Sequence, residues 1–294
     1  MKGILKILLA ISIILTLFSP SLASELGPMR IISTVPALTE MVWAAGATDR
    51  LIAVSDYCHF PPEIENLPRI GGLMNFNYEL IKRLKPDMVL LQYPPQDVGR
   101  KLKSMGISYG VFANETFGEI RESIRVMCGL FGHEKQCKPF FEKWDSELNA
   151  IQDKYLKAKP GPKTMVVVGR EIGKVAGLYV AGKNSFYAEM LGILQCPNAF
   201  TKSHQKYFQP SLEAIANAKP EIIIEIWAGK KFTDAQKKKL MDDWKAMKML
   251  PAVQNNRIYI VTEDYSGIPS ARAIDALKLF EGILRSDMGI TVHF

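Results

Sequence analysis

One segment occurs twice in this chain. Glu79-Leu80-Ile81 leads through Lys85-Pro86-Asp87 into Met88-Val89-Leu90-Leu91, and Glu213-Ala214-Ile215 leads through Lys219-Pro220-Glu221 into Ile222-Ile223-Ile224. The internal spacing is the same in both: a Glu, a Lys six positions on, then Pro, an acid and an apolar run. Proline cannot continue a helix, and a β-branched run suits a strand covered on both faces. Each copy therefore reads as a helix halted by proline and followed by a buried strand. Two such α/β units so far apart predict two similar lobes. A bilobed α/β protein places its ligand in the crevice between the halves.

The N-terminus carries Lys2 and Lys6, an apolar run from Ile7 to Phe18, and then Ser-Pro-Ser-Leu-Ala-Ser. That run falls short of the roughly 20 residues needed to span a bilayer. A basic start, a short apolar stretch and small residues at Ser21 and Ala23 form the pattern of an export signal, residues 1–23, cleaved after Ala23. An uncleaved membrane anchor is the alternative. No Cys lies near the junction, which argues against lipid attachment there. The formal net charge of +7 includes Lys2 and Lys6, and the other basic residues are scattered. The short cluster Lys237-Lys238-Lys239 reads as a solvated helix face, so nucleic acid is a poor partner. Cys58, Cys128, Cys137 and Cys196 share no metal-ligand spacing. Cys128 and Cys137 flank a helix–helix turn at Gly129 to His133, which leaves a disulfide open in an oxidising compartment. Cys58 and Cys196 read as free thiols.

Along the chain, Arg30-Ile31-Ile32-Ser33 predicts a first strand, and Pro36 opens a helix with Leu38, Met41, Val42 and Ala45 on one face, stopped at Gly46. Leu51 to Val54 is a second strand, the first repeat copy follows, and Tyr109 to Phe112 adds another strand. Short strands alternating with helices read as a doubly wound sheet. From Lys135 to Ala158 the pattern changes: Phe140, Phe141, Trp144, Leu148, Ile151 and Tyr155 recur at helical spacing until Lys159-Pro160-Gly161-Pro162. Lying between the two repeat copies, this long amphipathic helix reads as a connector. The expected architecture is an α/β fold of two doubly wound lobes, each with a central, mainly parallel sheet. The N-terminal lobe covers 24–134, the connecting helix 135–160 and the C-terminal lobe 161–294. The second lobe opens with a strand at Thr164 to Gly169, carries another at Arg257 to Val261, and ends in a helix from Ser270 to Arg285.

Several segments resemble the periplasmic substrate-binding proteins of ATP-driven importers for metal chelates: cobalamin, ferric siderophores and haem. They are "RIISTVPALTEMVWAAG", "VSDYCHFPPE", "GGLMNFNYELIKRLKPDMVLL", "AGKNSFYAEMLGIL" and "QPSLEAIANAKPEIIIEI". Each is weak alone, but the ordered set spans nearly the whole chain after the signal. The likeness is greatest to the cobalamin-binding member. The resemblance implies that Glu79 and Glu213, one per lobe, dock onto arginines of the ABC permease, whose ATPase drives import. An acid in the first turn of a helix also stabilises that helix by itself. The resemblance further implies a cleft of aromatic ligand contacts: Tyr57 in "SDYCHFPP", Tyr207 in "KYFQPSLE", and Tyr265 with Asp264 before it and Arg272 beyond. Phe76 and Tyr93 join this set, while Leu73 stands where the cobalamin-binding member has a Trp. Stacking aromatics suit a flat macrocycle, and an acid and a base can meet its side groups. Each aromatic could equally be core or rim packing.

Three residues enter from their position alone. His59 beside Tyr57 could coordinate a cobalt or iron centre, or be a plain surface residue. Arg170 and Trp227 each follow a strand, where ligands of parallel sheets collect; an ion pair is the alternative for Arg170. A receptor for bare zinc or manganese needs several His and acids on one ion, whereas His59, His133, His204 and His293 are dispersed. A tetrapyrrole metal chelatase is the competing enzyme class. The chain has no Gly-x-Ser-x-Gly elbow, phosphate loop or His-Glu-x-x-His helix. The expectation is an exported, periplasmic, monomeric receptor, not an enzyme and without a cofactor of its own. It would carry a corrinoid first, a ferric siderophore second and haem third.

Overall fold

In the computed structural model, the described residues are 28–72, 75–92 and 96–285. The proposed signal segment, Leu73, Met74 and Tyr93 lie outside them. The first sheet contains β1 (Ile31–Ser33), β2 (Leu51–Val54), β3 (Met88–Leu91) and β4 (Tyr109–Val111) in the order β2-β1-β3-β4. Every pairing in it is parallel. Its helices are α1 (Pro36–Ala44), α2 (Tyr78–Leu84), α3 (Gln96–Ser104) and α4 (Phe117–Leu130). The connector α5 runs from Glu134 to Tyr155, 22 residues without interruption.

The second sheet has the order β7-β6-β5-β8-β9, with β5 (Thr164–Gly169), β6 (Tyr179–Ala181), β7 (Tyr207–Phe208), β8 (Ile222–Ile226) and β9 (Ile258–Val261). Strands β5, β8 and β9 are parallel, as expected. The edge pair β6 and β7 runs antiparallel and was not anticipated. The helices of this half are α6 (Phe186–Ile193), α7 (Leu212–Ala218), α8 (Asp234–Asp243), α9 (Pro251–Gln254) and α10 (Ala273–Arg285).

The repeat is a repeated set of contacts. Asn77 and Ser211 cap α2 and α7, each accepting the backbone N–H three residues on. Lys85 and Lys219 then end the helices in the same left-handed conformation, both at φ 47° and ψ 60°. After the proline, the Asp87 carboxylate accepts the backbone N–H of Arg30 at 2.7 Å, and the Glu221 carboxylate accepts that of Lys163 at 2.7 Å. Those two residues immediately precede the central strands β1 and β5. Their side chains reach the ends of the same helices: Arg30 Nη2 donates to the Leu84 carbonyl at 2.8 Å and Lys163 Nζ to the Ala218 carbonyl at 3.1 Å. A cation is thus placed where the helix carbonyls are left unpaired.

On α5 the buried residues are Cys137, Trp144, Ile151 and Tyr155, a single stripe along one face. Trp144 lies 6.0 Å from Phe117, the first residue of α4, and Phe117 lies 5.5 Å from Phe186 of the other lobe. One apolar cluster therefore runs from the N-terminal lobe across the connector into α6 and α10. A disulfide between Cys128 and Cys137 ties the end of α4 to the first turns of α5. Cys58 and Cys196 are free and buried. Replacing Asp87 or Glu221 by Ala is expected to lower the unfolding free energy by about 1 kcal/mol in each case. The two losses should add, because the sites are in different lobes; urea denaturation of the single and double variants measures both.

Candidate ligand-binding site

The loops at the carboxyl ends of the strands collect the chemistry. After β2, the loop with Tyr57, His59 and Phe60 is fixed from behind by Arg69, whose guanidinium donates to the carbonyls of Ser55, Cys58, Ile64 and Glu65. Cys58 points inward, its Sγ 3.1 Å from both Thr39 Oγ1 and Ser55 Oγ. Tyr57 and His59 point outward, and Tyr57 is 66% exposed. The Tyr57 ring lies against Gly72, where a Cβ would come within 2.7 Å of it. Phe60 packs edge-on to Trp43 with ring centres 5.0 Å apart.

In the C-terminal lobe a cavity of 330 Å³ opens at the carboxyl ends of β5 and β8. Its walls are Val168, Ile226 and Ala228, the Phe186-Tyr187 start of α6, Tyr207 of β7, and Gly267 and Pro269 of the segment after β9. Burial, with the nearby charge of Glu115, pushes the Tyr207 phenol up to about 12, so it presents a neutral hydroxyl. Burial likewise raises Tyr187, whose hydroxyl donates to the Ser266 carbonyl at 3.0 Å. The cavity is apolar and aromatic with phenolic edges, and it carries no formal charge on its wall.

Asp264, Tyr265 and Arg272 come together, and Glu40 of α1 joins them from the N-terminal lobe. Arg272 donates to Glu40 from Nε at 3.2 Å and from Nη2 at 2.6 Å, and to Asp264 from Nη1 at 3.0 Å and Nη2 at 2.9 Å. Its guanidinium lies 4.1 Å from the centre of the Phe60 ring and 5.5 Å from that of Tyr265. Burial lifts Glu40 above the usual carboxylate range against the pull of Arg272. Asp264 feels burial as its largest influence, yet the Arg272 hydrogen bonds outweigh it and hold that carboxyl low. Arg272 remains cationic, since both carboxylates outweigh its own desolvation.

Three expected contacts belong elsewhere. Arg170 is not a group facing the cleft: its side chain is 0% exposed and donates to Glu225 at 2.9 Å and Asp243 at 2.8 Å. Trp227 turns the same way, because Ile226 and Ala228 line the cavity and alternation along the strand sends Trp227 to the other face. There its indole N–H donates to Glu225 at 2.8 Å, and its ring packs on Phe232. Phe76 is buried in the N-terminal core with Ile81, Val98 and Leu102. Tyr207 does line the cavity, whereas Tyr57 and His59 stand on the exposed loop of the opposite lobe. Glu79 and Glu213 are both exposed, each the second residue of its helix. The sequence reading missed Phe186, Tyr187 and Glu40. The "NSFYAEM" cap, with Ser185 accepting from Ala188 N at 3.1 Å, is the signal that could have located the first two.

The sequence profile of the periplasmic binding protein family matches residues 31–265, and the chain belongs to that family. An uncharacterized ABC transporter substrate-binding lipoprotein of Bacillus subtilis, YvrC, is 27% identical over 256 residues, covering 85% of this chain and 78% of its own. The vitamin B12-binding protein of Vibrio cholerae is 26% identical over 265 residues, 88% of this chain and 91% of its own. A solved structure of the periplasmic vitamin B12 binding protein of V. cholerae shares the fold with a TM-score of 0.75 at 24% identity, covering 89% of this chain and 98% of its own. The periplasmic haem binding protein HutB of V. cholerae shares it with a TM-score of 0.72 at 21% identity, over 87% and 98%.

If Arg170 serves the fold, removing it leaves Glu225 and Asp243 as uncompensated buried charges. Arg170→Met is expected to cost about 3–5 kcal/mol of stability. A Tm measured by calorimetry checks this, and a variant as stable as the parent would show that the Arg170 pairs add nothing to the fold.

Proposed function

We propose that this protein captures a metal chelate, a corrinoid before any other, between its lobes and delivers it to an ABC importer. The observation that carries the reading is the uncharged aromatic cavity of 330 Å³ in the C-terminal lobe, together with the commitment to carboxylates of both arginines expected to meet a ligand. Arg170 faces two acids and Arg272 faces two acids. Neither is available to match the negative charges of a ferric siderophore or the two carboxylates of haem. A neutral macrocycle edged with amides suits phenolic hydroxyls and stacked rings better. The cavity is at the low end of the about 300–1,000 Å³ typical of small-molecule sites, so a bulky chelate would seat one edge there and lie across the interlobe face. Tyr57 and His59 on one side, with Tyr207 and Tyr265 on the other, are the side chains we assign to it. The second reading, a haem receptor of the same fold, draws on the phenols of Tyr207 and Tyr57.

Titration calorimetry of the mature protein with cyanocobalamin is expected to give one saturable site with a Kd of about 1 μM or below. Haemin and a ferric siderophore should fail to compete. Saturation by haemin alone would keep the fold and move the cargo.

We assign Glu79 and Glu213 to the permease. Both are exposed on rigid helix starts held by matching caps in the two lobes, a suitable pair for a two-fold partner. Glu79→Ala combined with Glu213→Ala is expected to abolish uptake while leaving the calorimetric Kd unchanged. A tenfold weaker Kd in that variant would overturn the assignment.

A further inference from the structure

The segment from Asp264 to Arg272 belongs to the C-terminal lobe by sequence, since it joins β9 to α10. Yet three polar contacts that cross the lobe boundary converge on its last four residues. Asn114 Nδ2 donates to the Pro269 carbonyl at 2.9 Å, and Ser270 Oγ donates to the Ala37 carbonyl at 2.6 Å. Arg272 grips Glu40 through two bonds and rests on Phe60. The same segment forms part of the cavity wall through Gly267 and Pro269. Gly267 has no room for a side chain, since a Cβ there would lie 2.8 Å from that of Ala228. On the C-terminal side the segment is held by Tyr187, another wall residue, through the Ser266 carbonyl. One stretch of backbone is therefore both part of the cavity wall and one of the places where the lobes are joined.

We propose that residues 264–272 act as an interlobe strap, latched by the Glu40–Arg272 ion pair, that converts separation of the lobes into opening of the cavity. The proposal rests on the receptor reading above and adds to it the part that moves. When the lobes part, Ala37, Glu40 and Asn114 leave together, and Pro269, Ser270 and Arg272 lose the partners that hold the strap in place. The cavity loses a wall without any change in its aromatic residues. Ligand lying against Gly267 and Pro269 in turn favours the latched form, because it binds where that wall is in place. Glu40 touches no ligand in this scheme. It is a positioning residue that acts through Arg272.

The test is native-state hydrogen exchange of the full mature chain, read by mass spectrometry without ligand and with cyanocobalamin. In Glu40→Gln, the amides of 264–272 are expected to exchange about tenfold faster, with those of β5 and β8 at parental rates. A uniform rise in all peptides would mean that Glu40 merely supports the fold, and would overturn the proposal, as would no rise at all. Should Glu40→Gln fold poorly, Ser270→Ala removes one hydroxyl of the same latch and should raise exchange in the same peptides by a smaller factor. Restoration of slow exchange by Glu40→Asp, with a carboxylate back in place, is the expected rescue; exchange as fast as in Glu40→Gln would count against the latch. The ligand-free pattern is read whether or not a corrinoid binds. The strap can therefore fail while the cargo assignment stands, and the reverse.

Discussion

Each lobe depends on one acid placed directly after a proline. Asp87 and Glu221 close the backbone of the residue that opens the central strand, and that residue turns its cationic side chain onto the end of the preceding helix. A helix end, an incoming strand and a neighbouring strand are thereby fixed in one step. Everything downstream inherits the alignment: the strands finish at the same level, so their carboxyl-end loops gather on one side. Charge-assisted bonds to backbone N–H groups are suited to this task, because they are directional and lose strength quickly with displacement.

Charge is distributed in an unequal way between the fold and the cleft. Arg170, Glu225 and Asp243 form a closed group inside the C-terminal lobe, extended by the indole N–H groups of Trp227 and Trp244. Arg272, Glu40 and Asp264 form a second group at the boundary. Both contain more acid than base, and both are hydrogen-bonded throughout their guanidinium faces. Buried ion pairs of this kind contribute little net stability compared with apolar packing, but removing one partner is costly. Such groups therefore hold a geometry more than they add free energy. What is left facing the cavity is aromatic and phenolic, which fits recognition by shape and stacking.

The parts of the fold that were legible in sequence are those set by local pattern. The repeated helix–proline–strand unit, the connector and the central strands all declare themselves within some 25 residues, through period, proline and β-branched runs. The parts that were not legible depend on partners far along the chain. Arg170 looks like a ligand group by its place after a strand, but Glu225 stands 55 residues away and Asp243 73 away. Trp227 was misplaced for a related reason: the strand it follows gives its face only once the lining residues on either side are known. Glu40 sits mid-helix among apolar neighbours, 232 residues from its partner, and nothing near it in sequence marks it as half of an ion pair. The disulfide stood between these cases, since nine residues of separation permit it and only the turn between two helices brings the sulfurs together.

The packing of Trp43 on Phe60 has an optical consequence. Trp43 is 37% exposed, and its indole meets the ring on which the Arg272 guanidinium rests. Tryptophan emission responds to the polarity and charge around the ring, so Trp43 sits within two contacts of the joint between the lobes. A change in the protein's intrinsic fluorescence can then arise from a shift of the lobes with no cargo touching an indole. The chain carries its own strain gauge, and its light reports posture as readily as occupancy.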